Sequence, residues 1–459
     1  MKVLEKTIKN EIYEFKEQID KFLAGTINEE KFKTIRLNLG IYSQRQPGFY
    51  MVRAKLPQGR MFDYQLERIA DVADQFGRGL AHLTTRQDIQ IHWVELKNVI
   101  DVLTLYAEVG ITTREACGNS VRNVTACPFA GICPKEIFDV SNISHTTTIH
   151  FLRNPISQNL PRKFKISFSG CDDDCAYSRI NDIGFLATVN NNVPGFRVYV
   201  GGGLGGHPRS AFLLKDFIPY NQAVLYADAV VRVFDRYGNR ANRNMARLKY
   251  VFEEKGVETL KQIIEEEFAE VKEIYGDSTF EEMPDINNIS DPFLPKNEVK
   301  TIESMNVWYM HNVVKQKQQD YYAITVQIPF GETNSKNLRD IAKISRMYGT
   351  GEIRTSLDQN FIIPWIHVNN IEGVYEELKY SELIAQTDTI LNIVSCPGAK
   401  TCNLGIARSQ GLAKAIQDEL NAYFKHDLSD ISIRVCGCPN ACAQHHIANI
   451  GFSGMARRI

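Results

Sequence analysis

The chain has 459 residues, 44% of them hydrophobic, and a formal net charge of −1 at pH 7. At roughly 100–200 residues per domain, this length means two to four domains with real cores, and a charge so close to zero excludes a general attraction to nucleic acid or acidic membranes. The sequence also lacks a secretory signal and the ~18 consecutive apolar residues of a membrane-spanning helix, so we expect a soluble, cytoplasmic protein.

The first predicted elements are two helices, over residues 7–24 and 28–36, in a polar N-terminal arm that we place at residues 1–45. After the arm, alternating apolar residues predict strands in FYMVRAKL and IQIHWVEL. The segment between them, LERIADVADQF, has the apolar spacing of a helix. This order is typical of a ferredoxin-like half-domain, which we place at residues 46–116.

Four cysteines follow in two pairs. Cys127 and Cys133 form a Cys-x5-Cys pair, Cys171 and Cys175 form a Cys-x3-Cys pair, and Cys117 stands apart. A disulfide framework is not expected for the ten cysteines of this chain, because the cytoplasm keeps thiols reduced. Their clustering favours a metal site over scattered core thiols.

The first half of the chain ends in a helical region and a linker. Residues 221–274 predict a long charged helical stretch, and residues 283–296, rich in Pro, Asp and Asn, predict the linker. We place the first cysteine-bearing domain, with this linker, at residues 117–300.

The second half of the chain repeats the first. Residues 318–331 (QQDYYAITVQIPFG) align with residues 46–59 (QPGFYMVRAKLPQG), and Trp365 matches Trp93 at the same offset. The two cysteine pairs also recur in order, as Cys396, Cys402, Cys438 and Cys442. We therefore predict an α+β protein with duplicated ferredoxin-like half-domains related by pseudo-two-fold symmetry, plus two mixed α/β domains that carry the cysteines.

The second copy is shorter than the first. We place its ferredoxin-like half-domain at residues 301–390 and its cysteine domain at residues 391–459. The first copy continues beyond its INDIGF motif into GFRVYVGGGLGG (residues 195–206), whereas the second copy ends shortly after its IANIGF motif. We therefore expect the second cysteine domain to be truncated.

Four thiolates from two loops can hold zinc or an iron–sulfur cluster. Zinc sites usually use narrower cysteine pairs than Cys-x5-Cys, and a cubane cluster tolerates wider spacing because its irons lie apart. The spacing therefore favours an iron–sulfur cluster, with zinc and a purely structural role as the alternatives. Cys436, the additional thiol in the strand ISIRVC, is interpreted as a small buried hydrophobe.

The Cys-x5-Cys and Cys-x3-Cys pairs of the second copy resemble the signature of the sirohaem-dependent nitrite and sulfite reductases. Further segments share that resemblance: TTRQDIQIHW (84–93), SVRNVTACP (120–128) and LPRKFK (160–165). It covers residues 40–459 and includes the duplication itself. The resemblance implies an oxidoreductase that reduces sulfite to sulfide, or nitrite to ammonia, with six electrons at a sirohaem coupled to a [4Fe–4S] cluster.

The resemblance also implies roles for individual residues. The cluster ligands that it implies are Cys396, Cys402, Cys438 and Cys442. It further implies that Cys442 bridges one cluster iron to the sirohaem iron. Four cations are placed by it over the distal face of the sirohaem: Arg86, Arg122, Lys163 and Lys165. There arginine suits bidentate binding of an oxyanion and lysine suits proton donation, whereas the alternative for each is a solvated surface charge.

Two further positions indicate what each copy binds. Lys249 is a candidate for binding the cofactor, with an exposed helix charge as the alternative. Asp358 occupies the position in the second copy that Arg86 has in the first. We therefore expect the first copy to bind the anion and the second copy to bind the metals.

The first copy nevertheless retains four cysteines of its own. We interpret them as relics of the duplication or as a closed structural site, with a second [4Fe–4S] cluster as the alternative. The acidic run Asp172–Asp174 counts against that cluster, because carboxylates add to its negative charge. We therefore expect about five irons, four in one cluster and one in sirohaem, rather than about nine.

The substrate and the electron donor follow from two segments. Within the resemblance, a lysine at the position of Lys165 accompanies sulfite reduction, so sulfite is favoured, with a nitrite-specific reductase as the alternative. Residues 195–206 lack the glycine order of a dinucleotide site, so no flavin or nicotinamide site is predicted. Electrons are then expected from a ferredoxin or a flavoprotein subunit. A non-catalytic iron–sulfur electron-transfer subunit is the alternative from another functional class.

Overall fold

The computed structural model of the protein describes residues 2–276, 303–423 and 431–456. These residues form two compact units, one from 2–56, 60–116, 303–423 and 431–456, the other from 57–59 and 117–276. The predicted linker at residues 283–296 lies outside the described residues. Among the helices that the structure describes, none combines the length and apolar character needed to cross a bilayer.

The α-helices of the described residues are α1 (Lys2–Leu23), α2 (Glu29–Asn38), α3 (Asp63–Phe76), α4 (Val99–Glu108), α5 (Ser141–Phe151), α6 (Ala223–Tyr237), α7 (Leu248–Lys255), α8 (Val257–Tyr275), α9 (Glu303–Asn312), α10 (Ser335–Tyr348), α11 (Ile371–Tyr380) and α12 (Ser409–Tyr423).

The strands are β1 (Ile41–Ser43), β2 (Phe49–Ala54), β3 (Arg60–Phe62), β4 (Leu80–Leu83), β5 (Ile89–Glu95), β6 (Thr125–Ala126), β7 (Ile166–Ser169), β8 (Ile183–Asn190), β9 (Val193–Val200), β10 (Phe212–Pro219), β11 (Val313–Lys315), β12 (Tyr321–Val326), β13 (Glu332–Asn334), β14 (Glu352–Thr355), β15 (Phe361–His367), β16 (Val394–Ser395), β17 (Ile433–Cys436) and β18 (Ile450–Ser453).

The predicted N-terminal helices are confirmed as α1 and α2. Helix α2 begins after Asn28, whose side chain accepts a hydrogen bond from the main-chain N–H of Lys31 at 2.9 Å and caps the helix. The two helices pack through the stacked rings of Phe15 and Phe32, whose centroids are 6.1 Å apart. The predicted helical stretch at residues 221–274 is divided into three helices, α6, α7 and α8.

The first unit contains the two ferredoxin-like sheets, one from each half of the duplication, and each sheet includes one strand from the other half. The strand orders are β1-β2-β5-β4-β13 and β11-β12-β15-β14-β3. Strand β13 of the second half pairs antiparallel with β4, and β3 of the first half pairs antiparallel with β14. The two halves are therefore joined through main-chain hydrogen bonds as well as through one shared apolar core.

The backbone repeats the duplication in detail. Trp93 in β5 and Trp365 in β15 both have positive φ, at 68° and 62°, beside irregularities in the pairing with β2 and β12. The turns after β4 and β14 likewise place Gln87 and Gln359 at φ 60° and 64°. Non-glycine residues rarely adopt this conformation, so its recurrence at matched positions supports the duplication.

A buried carboxylate joins the exchanged strand β3 to β14. Glu352 accepts hydrogen bonds from Arg60 at 2.7 Å and from Arg354 at 2.8 Å, and its second oxygen accepts from the indole N–H of Trp365 at 3.1 Å. Burial alone would raise the pKa of Glu352, but the guanidinium groups of Arg354 and Arg60 outweigh it and hold the pKa at about 2. The ionised carboxylate therefore stabilises the strand exchange.

The second unit is built on one mixed sheet in the order β10-β9-β8-β7-β6. Strands β6, β7 and β8 run parallel, whereas β8, β9 and β10 are antiparallel. Residues from α5, α6 and α8 complete its apolar core. In the first unit, β16, β17 and β18 repeat the same parallel order as β6, β7 and β8. In both copies, the cysteine loops follow the carboxyl ends of the first two of these parallel strands.

Candidate functional site

The second-copy cysteines lie on two loops that approach each other closely. Strands β16 and β17 pair in parallel, and the main-chain N–H of Cys396 continues the ladder by donating to the carbonyl oxygen of Val435 at 3.3 Å. Beyond the strands, a Cβ atom on Gly437 would lie 2.7 Å from the Cα atom of Gly398. Only a residue without a side chain fits there, so the glycine backbones bring the two loops together.

The four predicted ligand thiols belong to this loop pair. Burial raises the pKa of Cys402 to about 11, with smaller contributions from the neighbouring thiols of Cys442, Cys396 and Cys438. Cys438 is buried, whereas Cys442 is exposed and so accessible to a second group. Cys436 is buried at the end of β17, as predicted, and its side chain is hydrogen bonded to Cys396.

N–H groups point at these sulfurs. The main-chain N–H of Gly437 donates to Cys396 Sγ over 3.2 Å, and the Asn440 amide donates to Cys438 Sγ over 3.4 Å. The hydroxyl of Ser409 lies 3.4 Å from Cys396 Sγ but donates its hydrogen to the carbonyl oxygen of Cys396, over 2.6 Å. Such N–H donors stabilise thiolate sulfur, so the residues present fit an iron–sulfur cluster. Within the described residues, no group of three or more His, Cys, Asp or Glu forms a site for a single metal ion.

The N-terminal segment supports the first cysteine loop from outside. The main-chain N–H of Arg45 donates to the carbonyl oxygen of Thr401 at 2.8 Å, and the Asn403 amide donates to the carbonyl oxygen of Ser43 at 2.9 Å. An ion pair of 2.7 Å between Lys400 and Glu332 adds a third connection. The loop is therefore held by hydrogen bonds from segments far away in sequence.

The turn between β4 and β5 carries Arg86 and contacts the second cysteine loop. The hydroxyl of Thr84 accepts from the main-chain N–H groups of Arg86 and Asp88, each over 3.2 Å, which fixes the turn. The hydroxyl of Thr85 donates to the carbonyl oxygen of Cys442 over 2.7 Å. Sequence analysis did not single out Thr85, although it lies within the motif TTRQDIQIHW.

The equivalent turn of the second half is built in the same way with the opposite charge. There the hydroxyl of Ser356 accepts from the N–H groups of Asp358 and Asn360, over 3.2 and 3.1 Å. The carboxylate of Asp358 forms an ion pair of 2.5 Å with Arg434 of β17, which also donates to Gln444 over 2.6 Å. Through Arg434, Asp358 thus holds the strand that leads into the Cys438–Cys442 loop. Sequence analysis did not single out Arg434.

Three of the predicted cations lie on two adjacent segments of the second unit. The main-chain N–H of Arg122 donates to the carbonyl oxygen of Phe164 over 2.8 Å, and its guanidinium donates to the carbonyl oxygen of Gly118, also over 2.8 Å. Phe164 is fully buried, whereas Lys163 and Lys165 on either side of it are half-buried. The alternation predicted for this segment therefore keeps both lysines on the side away from the core.

Lys249 is buried, so the alternative interpretation of this residue, an exposed charge on a helix, is wrong. Its ammonium donates to the carbonyl oxygen of His207 and, over 3.3 Å, to that of Leu204, in the glycine-rich loop after β9. Burial, followed by the charge of Arg247, lowers the pKa of Lys249 to about 8. The carboxylate of Asp182 accepts hydrogen bonds from the guanidinium of Arg247, over 2.7 Å, and from the main-chain N–H of Lys165, over 2.9 Å.

The predicted site residues are thus divided between the two units. Arg86 lies in the first unit with the four second-copy cysteines. The remaining predicted cations lie in the second unit: Arg122, Lys163, Lys165 and Lys249. Within each unit, the predicted residues lie on segments that are distant in sequence but adjacent in the structure.

Two family models match the chain. The "Nitrite and sulphite reductase 4Fe-4S domain" matches residues 117–272, and the "Nitrite/Sulfite reductase ferredoxin-like half domain" matches residues 42–109 and 314–380. The doubled match to the half-domain confirms the predicted duplication of ferredoxin-like halves.

Individual relatives are similar along most of the chain. The chloroplastic ferredoxin–nitrite reductase of Oryza sativa subsp. japonica is 28% identical over 426 residues, covering 91% of this chain and 68% of that protein. A sulfite reductase [ferredoxin] of Mycolicibacterium paratuberculosis is 27% identical over 439 residues, covering 90% and 74%. The solved structure of the Mycobacterium tuberculosis NirA protein has a TM-score of 0.80 and 25% identity, covering 97% of this chain and 82% of that one.

Proposed function

This chain belongs to the nitrite and sulfite reductase family, and on that premise we propose that it catalyses the six-electron reduction of sulfite to sulfide or of nitrite to ammonia. The observation that carries the proposal is the hydrogen bond between Thr85 and Cys442, because it ties the turn of Arg86 to a cysteine loop suited to a cluster.

The proposed cofactors are a [4Fe–4S] cluster and a sirohaem. The four residues that would bind the cluster are Cys396, Cys402, Cys438 and Cys442. Cys442 would also be shared with the sirohaem iron, which its exposure allows. When bound, the two groups supply an iron that binds the substrate and a store from which single electrons reach it. The protein contributes the thiolates, the N–H donors around them and the cationic side chains.

The predicted cations have separate proposed tasks. Arg86 and Arg122 bind the oxygens of the anion, because the planar guanidinium presents paired donors. Lys163 and Lys165 carry compact ammonium groups that can donate the protons needed as water is released. Lys249 holds the glycine-rich loop through two carbonyl oxygens, and its lowered pKa of about 8 suits it to proton exchange. A cofactor carboxylate bound to this ammonium would raise that pKa.

We propose sulfite as the preferred substrate. Lys165 adds a positive charge, and sulfite carries more negative charge than nitrite. Nitrite is the second candidate, since the similarity to ferredoxin–nitrite reductases extends over nine-tenths of this chain. Both anions need the same number of electrons and the same kind of cationic site.

We further propose that a ferredoxin supplies the electrons, since the similar reductases are ferredoxin-dependent by name. The protein would then act in the cytoplasm, where its ten cysteines stay reduced. A flavoprotein subunit is the alternative donor.

The function is tested on anaerobically purified protein by its absorption spectrum and by turnover with a reduced viologen. We expect a Soret band and a red band from sirohaem, with sulfide formed from sulfite and ammonia from nitrite. A single broad shoulder without turnover would contradict the proposal and would favour a cluster-only electron-transfer subunit.

A further inference from the structure

The first-copy cysteine loops have the same main-chain framework as the second-copy loops. Three hydrogen bonds recur at equivalent places. In the first copy they join Cys127 N to Phe168 O (3.0 Å), Cys133 N to Phe129 O (2.9 Å) and Ile137 N to Gly170 O (2.8 Å). In the second copy they join Cys396 N to Val435 O (3.3 Å), Cys402 N to Gly398 O (3.0 Å) and Ile406 N to Gly437 O (2.8 Å). The Cys-x5-Cys loops therefore have matching shapes.

The Cys-x3-Cys loops match as well. Asp174 and Tyr177 flank Cys175 with positive φ, at 49° and 52°, and the N–H of Tyr177 donates to the carbonyl oxygen of Asp174 over 2.8 Å. In the second copy, Ala441 and Gln444 have φ of 55° and 60° and are joined by the same bond, over 3.0 Å. Cys175 thus occupies the place on its turn that Cys442 occupies on the other.

The sulfurs of the first copy lie together and face N–H donors. The thiol of Cys127 is hydrogen bonded to that of Cys175 and lies near that of Cys133. Main-chain N–H groups of Phe129 and Lys135 point at Cys127 and Cys133. The N–H groups at the matching second-copy positions, Gly398 and Leu404, point at Cys396 and Cys402. The donor arrangement that fits a cluster is therefore present in both copies.

The carboxylates of the acidic run that counted against a cluster are paired with cations and hydrogen-bond donors. Burial raises the pKa of Cys171, and the charge of Asp173 still adds to that rise. Asp172 forms an ion pair with Arg197, and Asp173 forms one of 2.8 Å with Lys135. Asp174 accepts from the hydroxyl of Ser169 over 2.7 Å and from the main-chain N–H of Ser178 over 2.9 Å. Each carboxylate has a partner of its own, and this pairing weakens the objection that the acidic run raises to a first-copy cluster.

We propose that the four first-copy cysteines bind a second [4Fe–4S] cluster, in the second unit: Cys127, Cys133, Cys171 and Cys175. This inference rests on the proposed function, because the second-copy loop serves as the reference for a cluster site. It replaces the expectation of about five irons with about nine, counting four in each cluster and one in sirohaem.

Iron, acid-labile sulfide, zinc and sirohaem are to be measured on the anaerobically purified full chain. We expect about nine irons and about eight sulfides per sirohaem. A value of about five irons and four sulfides per sirohaem, with or without one zinc, would overturn the second cluster while leaving the proposed function intact. Protein without sirohaem would instead count against the proposed function.

Paired variants locate the second cluster. The double variant Cys127→Ser/Cys171→Ser should lose about four irons and keep its Soret band, whereas Cys117→Ser, the matched control, should keep about nine irons. Retention of all irons by the double variant would place the additional iron elsewhere and overturn the assignment. If the double variant does not fold, electron paramagnetic resonance spectra of the dithionite-reduced wild-type protein provide the test. Signals from two reduced clusters would support the proposal, and a signal from one cluster would overturn it.

Discussion

The hydroxyl of Thr85, in the turn between β4 and β5, donates a hydrogen bond of 2.7 Å to the main-chain carbonyl oxygen of Cys442. The two residues lie 357 positions apart in the sequence. One belongs to the turn that holds Arg86, and the other is the proposed shared ligand of cluster and sirohaem. The contact explains how a duplicated chain can place the arginine-bearing turn of one half beside a cysteine loop of the other.

Replacing Thr85 by valine tests that contact. Thr85→Val keeps the shape of the side chain and removes one hydrogen bond worth about 1 kcal/mol, so we expect kcat/KM for sulfite to fall about fivefold. The measurement uses a reduced viologen donor and also records the electron-spin signal of the cluster, which should shift as the Cys442 loop relaxes. Thr104→Val, which removes an exposed hydroxyl on α4, is the control and should change neither. Unchanged turnover in Thr85→Val would show that the hydrogen bond does not position the turn.

Cys442→Ser tests the shared ligand. Because one thiolate is proposed to serve both metals, the variant should lose its Soret band together with about five irons, four from the cluster and one from the sirohaem. Cys117→Ser, which alters a buried thiol outside both cysteine pairs, should keep both the band and the irons. A Cys442→Ser protein with a normal Soret spectrum and normal turnover would show that another residue binds the sirohaem.

Lys165→Asn tests the choice of anion. The change removes a positive charge that the more highly charged sulfite uses more than nitrite does, so kcat/KM should fall about tenfold for sulfite and only a few-fold for nitrite. Lys97→Asn, at an exposed lysine in the first unit, should leave both values unchanged. Equal losses on the two substrates would assign Lys165 to holding the cofactor or the fold.

Glu352→Gln tests the exchanged strands. The pKa of Glu352 lies at about 2, below the ordinary 4.5, so its ion pairs stabilise the fold above about pH 4.5 and that stability is lost as the pH falls towards 2. At neutral pH the variant should lower the free energy of unfolding by about 3 kcal/mol. It should also lose less stability than the wild-type protein between pH 5 and about 3.

The urea concentration at the unfolding midpoint, followed across that pH range, measures this effect. Glu108→Gln removes an exposed partner of Arg68 and should cost less than about 1 kcal/mol. Equal midpoints for Glu352→Gln and wild-type protein at neutral pH would mean that the carboxylate does not hold β3 to β14.

Local pattern was enough to predict much of the fold. The helices α1, α2 and α3 and the strands β2 and β5 were predicted from apolar spacing, and the matching elements of the second half followed from the repeat. These elements are predictable because their own residues set the period of burial. The exchange of β3 and β13 was not predicted, because a strand of three residues is too short to show a period of burial. The strands with which they pair also lie far away in sequence.

For the site, the sequence by itself determined the residue types and their spacing: the cysteine pairs, the duplication and the cations that the family resemblance singled out. The tertiary structure decided what surrounds them. It showed that Lys249 is buried against a loop and that Asp358 is paired with Arg434. It also showed that Asp172, Asp173 and Asp174 each have a partner. Charge and ligand chemistry can be read from residue identity, but burial and pairing depend on long-range contacts that exist only once the chain has folded.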